Sequence, residues 1–255
     1  MSQVTCPSGL VLEIRGLKNK EINILTDKQA IRDGKVQQQI LAASCTVVDA
    51  GPYNEPNGKP FSWPDVLIAD QTVALIAVRC LTFGSEYDID VHCDQCRKRI
   101  SWTVDLSQDL TVEPLSADTL KVFAQGNRFE TVLPSTGKKV WFCLTTGGLI
   151  QRLQKVIDKN PDKLWTISLA ARILEIEGVT DMDRKRFLDE MDAGDTMRLR
   201  EAFEEHEGGI DTDIVAECSG CMSEQEISLP LGHTLFLPRK NKGKGSRRER
   251  DDLLR

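Results

Sequence analysis

Two pairs of cysteines, each with two residues between its members, are the clearest chemical signal in this 255-residue chain. They are Cys93 with Cys96 and Cys218 with Cys221. Two thiolates spaced in this way bind one ion readily, and two such pairs complete the tetrahedral four-sulfur shell that zinc prefers. The spacing therefore predicts one structural Zn²⁺ ion held by residues far apart in the chain. A four-cysteine iron site has the same ligands.

The residues around the two cysteine pairs repeat as well. When the pairs are aligned, Ile89 falls on Ile214 and Trp102 falls on Ile227. Apolar and polar residues alternate on both sides of each pair, which is the period of a half-buried strand. Each half is therefore predicted to be a β-hairpin with its cysteines at the tip. The predicted fold class is α+β, a split zinc-ribbon-like β element with a large, mainly helical insertion.

Other chemistries fit the cysteine pairs less well. A catalytic zinc keeps one position for a non-protein ligand, whereas four thiolates are available here. A redox pair is expected at a helix N-terminus, but predicted strands flank both pairs. His92 and His233 are further candidate ligands, with His92 on the strand face opposite Cys93. Because no Ser/His/Asp or Cys/His arrangement stands out, we predict neither an enzyme nor a small-molecule substrate. A closed site further implies that replacing Cys93 or Cys218 unfolds the protein.

Apolar periodicity predicts the elements that position these hairpins. A helical pattern over 27–48 indicates one helix or a broken pair. An almost wholly apolar helix is expected over 70–81, and a second type of hairpin, without cysteine pairs, is expected over 129–144. The pattern over 149–206 is helical throughout, with the second of four helices over 164–176.

The predicted organisation has three parts. Residues 1–106 and 212–238 form an α+β body that contains the split CxxC/CxxC zinc ribbon. Residues 107–211 form a hairpin plus a helical insertion, and residues 239–255 form a flexible basic tail. No stretch approaches the roughly 20 apolar residues that span a bilayer, and residues 1–6 lack the basic and apolar pattern of a signal peptide. We therefore expect a cytoplasmic protein without a membrane partner.

Charge separates the tail from the rest of the chain. The formal net charge of −6 argues against a surface built for nucleic acid. Residues 239–255 nevertheless carry eight Lys or Arg against three acids. This composition predicts a solubilising disordered end or a segment that binds an acidic partner or nucleic acid. The candidate partner-binding residues are Arg239, Lys240, Lys242, Lys244, Arg247, Arg248 and Arg250.

Three segments of the chain resemble a known family. The opening PSGLVLEIRGLKNKE, the stretch LIADQTVALIAVRCLTFGSEYDIDVHCDQC leading into ISWTVDL, and the late IVAECSGC with a closing TLFLP are similar to the T-even-type baseplate hub assembly proteins of contractile-tailed bacteriophages. The resemblance covers residues 7–106 and 212–238. Residues 107–211 and the basic tail carry no motif that matches.

The resemblance implies a non-enzymatic phage protein that acts in building the central hub of the tail baseplate, as an assembly factor or as a hub component. Its partners would be other baseplate or hub proteins. Its location would be the host cytoplasm during assembly, and the virion tail baseplate if it stays in the particle. Carried over residue by residue, the resemblance gives a role only to the four cysteines, as metal ligands. The competing hypothesis is a zinc-ribbon protein that binds nucleic acid through the basic tail.

Overall fold

The computed structural model describes residues 2–54, 60–157, 159, 164–229 and 233–236. Helices and several small antiparallel sheets make up these residues, which confirms the predicted α+β class. The strands are β1 (Ser2–Thr5), β2 (Val11–Ile14), β3 (Cys45–Asp49), β4 (Glu86–His92), β5 (Arg99–Asp105), β6 (Val112–Glu113), β7 (Phe129–Val132), β8 (Lys139–Phe142), β9 (Ile173–Ile176), β10 (Gly209–Ile210), β11 (Asp213–Glu217) and β12 (Glu224–Ser228). The helices are α1 (Asn19–Ile22), α2 (Lys28–Arg32), α3 (Val36–Ser44), α4 (Ile68–Phe83), α5 (Ala117–Gln125), α6 (Gly147–Ile157), α7 (Leu164–Arg172), α8 (Asp181–Asp189) and α9 (Ala193–His206). Among the described residues, no helix has both the length and the apolar character needed to cross a membrane.

The first hydrophobic core is built around helix α4. Its side chains are mostly apolar, and Ala74 at its centre is fully buried. The β1–β2–β3 sheet packs on this core, and the hairpins β4–β5 and β11–β12 add inner-face residues such as Ile89 and Ile214. The buried residues of the first core lie within 6–106 and 214–236. One core therefore fixes both hairpins in place, although they are far apart in the sequence.

The second hydrophobic core forms between the three-stranded β7–β8–β9 sheet and helix α9. Phe142 on β8 and Leu199 on α9 are fully buried, and the rings of Phe142 and Phe203 lie 4.9 Å apart. Apart from Leu67, the buried residues of the second core lie within 115–203. The part of the chain between the two cysteine hairpins thus forms a sheet and helices with a hydrophobic core of their own.

Backbone hydrogen bonds join the two cores where helices α4 and α6 begin. The Ile68 N–H donates to the Thr145 carbonyl at 2.9 Å, and the Gly147 N–H donates to the Val66 carbonyl at 3.0 Å. A Cβ atom at Gly147 would lie 2.3 Å from Nε2 of Gln71. A side chain at position 147 would therefore displace the Gln71 amide, which donates to the Trp63 and Val66 carbonyls at 2.9 Å.

Two predicted elements are confirmed, and the helical pattern over 27–48 is partly correct. Helix α4 covers the predicted 70–81, and β7 with β8 forms the hairpin predicted over 129–144. The 27–48 segment contains a broken pair of helices, α2 and α3, but the helical region ends at Ser44 and not at the predicted residue 48. Residues 45–49 form strand β3, since their β-branched side chains fit a half-buried strand and their backbone pairs with β2.

The helical prediction over 149–206 is wrong at residues 173–176. Helix α7 ends at Arg172, and the next four residues form the edge strand β9, which pairs Ile176 with Val140 of β8. Apolar spacing in this segment suits a helix as well as a strand, so pairing with β8 decides the outcome. Helix α5, at 117–125, was not predicted, although Ser116 caps its first turn through a hydrogen bond to the Thr119 N–H.

Candidate metal centre

Two hairpins with the same strand register carry the cysteine pairs. In the first hairpin Ile89 pairs with Trp102, and in the second Ile214 pairs with Ile227. These four residues hold equal positions relative to their cysteines. The repeat seen in the sequence is therefore a repeat of backbone structure.

The turns at the two hairpin tips also share one conformation. The N–H of Cys93 and the N–H of Cys218 each donate to the carbonyl five residues further on, at 2.9 and 2.8 Å. The carbonyls of the same two cysteines accept hydrogen bonds from the N–H groups of Arg97 and Met222, at 2.9 and 2.8 Å. Arg97 and Met222 both lie in the left-handed region, with φ of 60° and 61°. Each turn thereby brings its two thiols to the same side.

The four sulfur atoms converge on one point, and all of them lie within 4.8 Å of one another. The Sγ atoms of Cys93 and Cys221 are 3.6 Å apart, as are those of Cys96 and Cys218. A zinc ion with Zn–S bonds of about 2.3 Å in a regular tetrahedron places its sulfur ligands about 3.8 Å apart. The thiols are free rather than disulfide-bonded. The donor set and its spacing therefore fit a four-thiolate metal ion.

Exposure differs between the two cysteines of each pair. Cys93 and Cys218 are fully buried, whereas Cys96 and Cys221 are exposed. The buried thiols form a small cluster with Ile100, which Val91 links to the first core, and the exposed thiols face solvent. Any ion held by all four would therefore sit at the surface end of the hairpins, with protein on one side.

Polar groups around the sulfur atoms were not identified from the sequence. The Ser223 hydroxyl lies 3.4 Å from Sγ of Cys93 and 3.1 Å from Sγ of Cys221, so it contacts one thiol from each hairpin. The Gly220 N–H donates to Sγ of Cys218 at 3.3 Å. The sequence signal for these residues is their position, with Gly220 inside the second cysteine pair and Ser223 two residues after it. Hydrogen bonds of this kind stabilise thiolates, which are the metal-binding form of cysteine.

The pKa values of the thiols diverge because the thiols share a small space. The N–H of Cys96 and the Ser223 hydroxyl lower the pKa of Cys93 to about 6. At Cys96 the N–H of Lys98 favours the thiolate, but partial desolvation of its sulfur and the neighbouring thiols of Cys218, Cys221 and Cys93 outweigh this effect and raise the pKa to about 11. One thiolate thus disfavours a second one nearby. A divalent cation would remove this conflict by neutralising the negative charges.

The basic and histidine residues near the cysteine pairs take different positions. Arg99 pairs with Asp90 at 2.7 Å rather than with the thiols. Lys98 crosses to the other hairpin, since a Cβ atom at Gly220 would lie 2.7 Å from its Cδ atom. His92 is exposed and is not a member of the four-cysteine cluster. The remaining sequence candidates, the His233 side chain and Arg239, Lys240, Lys242, Lys244, Arg247, Arg248 and Arg250, lie outside what the structure describes.

Comparison with known proteins identifies a family that this chain matches. A family model described as T4 bacteriophage base plate protein matches residues 4–236. This range includes both cysteine hairpins and the whole segment between them, which confirms the resemblance found in the sequence and extends it across 107–211. No curated protein and no solved structure matches the chain at a significant level.

Proposed function

The chain belongs to the T4 bacteriophage base plate protein family, and we propose that it acts in building the central hub of a contractile-tail baseplate. It would do so as an assembly factor or as a structural component of the hub. The observation that carries this proposal is the family match, because it covers 4–236 and so includes both cores and both hairpins. The proposed partners are other baseplate or hub proteins, and the proposed place of assembly is the host cytoplasm.

A structural zinc ion is the second part of the proposal, with Cys93, Cys96, Cys218 and Cys221 as its ligands. The sulfur spacing of 3.6 Å supports it, because a tetrahedral zinc needs nearly this distance. Such an ion would join two hairpins separated by 121 residues of chain. Metal binding by thiolates contributes on the order of 10 kcal/mol in small zinc peptides. The entropy cost of closing the intervening loop rises only with the logarithm of the loop length, so the ion can offset it.

A role without catalysis follows from the same donor set. Four protein thiolates fill the coordination shell of a tetrahedral ion, so no position remains for a metal-bound water or substrate. We therefore assign the ion to folding, and the function to surfaces that contact other baseplate proteins. This reading makes the protein a scaffold rather than an enzyme.

Mass spectrometry of phage material tests the hub proposal and separates its two versions. A hub component is expected in purified mature particles at a fixed ratio to known baseplate proteins. An assembly factor is expected with hub intermediates from infected cells but not with mature particles. Intermediates from a strain that lacks the gene serve as the control, and they should be arrested before the hub is complete. Absence of the chain from both samples, with normal hub assembly in its absence, would show that the proposal is wrong.

X-ray absorption of the purified protein tests the metal proposal. Four sulfur neighbours at about 2.3 Å around zinc are expected from the ligand set. Elemental analysis of the same sample distinguishes zinc from iron. Nitrogen or oxygen neighbours in place of sulfur would contradict a closed four-thiolate site.

A second candidate function, nucleic-acid binding, rests on the eight Lys or Arg within 239–255. Phosphate contacts by these residues would make affinity fall steeply as salt rises. Replacing Arg239, Lys240, Lys242, Lys244, Arg247 and Arg248 with Gln in the full chain should then abolish binding to DNA and RNA. Failure of the unmodified protein to bind either nucleic acid at low salt would eliminate this candidate.

A further inference from the structure

Arg79, near the end of helix α4, is a buried arginine that binds three backbone carbonyls. Its side chain donates from Nη1 to the Gly84 carbonyl, from Nη2 to the Glu86 carbonyl at 3.0 Å and from Nε to the Leu235 carbonyl at 3.1 Å. The residue is 9% exposed. A guanidinium suits this task because its donors form a planar, rigid fork that serves several acceptors at once.

The three carbonyls belong to the bases of the two cysteine hairpins. Glu86 is the first residue of β4, the strand that leads to Cys93 at the hairpin tip. Gly84 lies between α4 and β4 with a φ of 88°, and the chain changes direction there. Leu235 follows β12 in the chain and is buried in the first core. One side chain therefore joins the start of the first hairpin to the segment that follows the second.

Two aromatic rings fix the orientation of this guanidinium. The Cζ atom of Arg79 lies 5.4 Å from the ring centroid of Phe83, the last residue of α4, and 5.9 Å from that of Tyr87 on β4. Cations at such distances from aromatic rings are attracted to them. The guanidinium is thus held from the helix and from the strand, on both sides of the turn at Gly84.

The length of β4 makes the geometry of its base important for the tip. The seven residues of this strand span about 24 Å. A rotation of about 5° at Glu86 would move the tip of such a lever by about 2 Å. Thiolate ligands must lie about 2.3 Å from zinc, with a tolerance of about 0.2 Å. A small change of direction at the base is therefore enough to prevent the four thiols from meeting at one ion.

We propose that Arg79 is a positioning residue for the four-thiolate metal centre and acts from the opposite end of the hairpins. Its side chain sets the direction in which β4 leaves α4 and holds the segment after β12 against the same point. Packing of both hairpins on the first core then brings the two cysteine pairs together. This role rests on the structural zinc ion proposed above. It predicts that the metal affinity depends on a residue far from the ligands.

Metal affinity of the full chain tests the proposal. Zn²⁺ affinity is measured under reducing conditions by competition with a chelating dye, and the visible absorption spectrum of bound Co²⁺ reports the ligand set. Arg79→Met removes all three donors and keeps an apolar stem, so it is expected to weaken Zn²⁺ binding about tenfold, which is a usual size for coupling between distant sites. The spectrum at Co²⁺ saturation should match that of the wild type, because the four thiols remain the ligands.

Two control variants separate positioning from a general loss of stability. Arg172→Met makes the same change at a largely buried arginine in the second core, which donates from Nε to the Cys143 carbonyl at 3.2 Å and packs 3.8 Å from the ring centroid of Phe203. Ile40→Val removes a buried methyl group from helix α3 in the first core. Both variants should be less stable than the wild type but should keep its Zn²⁺ affinity within about twofold.

The outcomes distinguish this role from the zinc proposal on which it rests. Wild-type Zn²⁺ affinity in Arg79→Met, or an equal loss in Ile40→Val, would overturn the positioning role and leave the metal site intact. A wild-type protein that does not bind Zn²⁺ or Co²⁺ through four sulfurs would overturn both proposals. If Arg79→Met does not fold, Arg79→Lys replaces it, since it keeps the charge but not the planar fork, and about fivefold weaker Zn²⁺ binding is expected. Unchanged affinity in Arg79→Lys would then overturn the role.

Discussion

The four thiols have unequal surroundings although the backbones that carry them match. Cys93 and Cys218 are fully buried in a small cluster with Ile100, so a change at either position disturbs both the candidate ion and this packing. Cys96 and Cys221 are exposed, so a change there acts mainly on the ion. Loss of stability shared by all four positions would thus report the ion rather than packing.

Replacing one buried ligand tests the structural role of the ion. Cys218→Ser is expected to abolish metal binding and to lower the free energy of unfolding by several kcal/mol, since thiolate-bound zinc contributes on the order of 10 kcal/mol. Elemental analysis and denaturant titration provide the two measurements. Cys80→Ser, the same change at a half-buried thiol outside the cluster, should keep the metal and cost about 1 kcal/mol. A metal-free Cys218→Ser protein with the stability of the wild type would disprove a structural ion.

His206 makes the second core sensitive to pH. The Ser116 hydroxyl donates to the Thr119 oxygen at 2.9 Å, and the Thr119 oxygen is hydrogen-bonded to Nδ1 of His206 at 2.9 Å. Burial lowers the pKa of His206, and its ring packs 4.7 Å from that of Phe129. The folded protein thus favours neutral histidine, whereas the unfolded chain takes up a proton as pH falls below 6.5. Stability of this core should therefore fall as pH drops through that range.

Hydrogen exchange on the amides of the second core measures this dependence. His206→Gln should remove the component of protection that is lost between pH 7 and pH 5.5. His92→Gln, the same change at an exposed histidine on β4, should retain it. Equal pH dependence in both variants would assign the effect to other groups.

The two hairpins with matching turns at their tips are the elements that the sequence predicts best. Repeated flanks around the cysteine pairs predict both hairpins and their shared register, because strand alternation and cysteine spacing are local signals. Strand β9 and helix α5 were not predicted correctly. Pairing with β8, a distant segment, decides β9. Helix α5 has local signals that the prediction did not use, namely the cap at Ser116 and the helical spacing of Leu120 and Phe123. The convergence of both hairpins depends on the first core and was inferred only through the metal hypothesis.

Each turn at a hairpin tip contains one residue with a left-handed backbone conformation, and replacing this residue tests the account of the turn. Met222 is 71% exposed and adopts a φ of 61°, a conformation that glycine adopts without strain. Met222→Gly is therefore expected to raise the free energy of unfolding by about 0.5–1 kcal/mol. Met182→Gly, at a 92% exposed position in helix α8, should lower it by about 1 kcal/mol. Denaturant titration measures both, and a loss of stability in Met222→Gly would contradict this account of the turn.

Two large hydrophobic cores divide most of the described residues, and Cys93, Cys218 and Ile100 form a small third cluster. The first core is linked to this cluster through Val91. Its buried residues lie within 6–106 and 214–236, which lie on either side of the second core in the sequence. The division of the chain into a body at 1–106 and 212–238 and an insertion at 107–211 stays a prediction. All four candidate ligands belong to the two hairpins that pack on the first core, so metal loss should affect this part of the molecule most.

Metal removal should therefore unfold the molecule unevenly. Chelation under reducing conditions is expected to release the β4–β5 and β11–β12 hairpins, because the coordination bonds that join them are lost and each two-stranded sheet is marginal alone. Hydrogen exchange should then show lost protection at Ile89 and Ile214, with protection kept at Val140 and Leu199 in the second core. Restoring Zn²⁺ should restore protection at the hairpins. Equal loss in both cores would instead show one cooperative unit, in which the ion stabilises the insertion as strongly as the body that holds it.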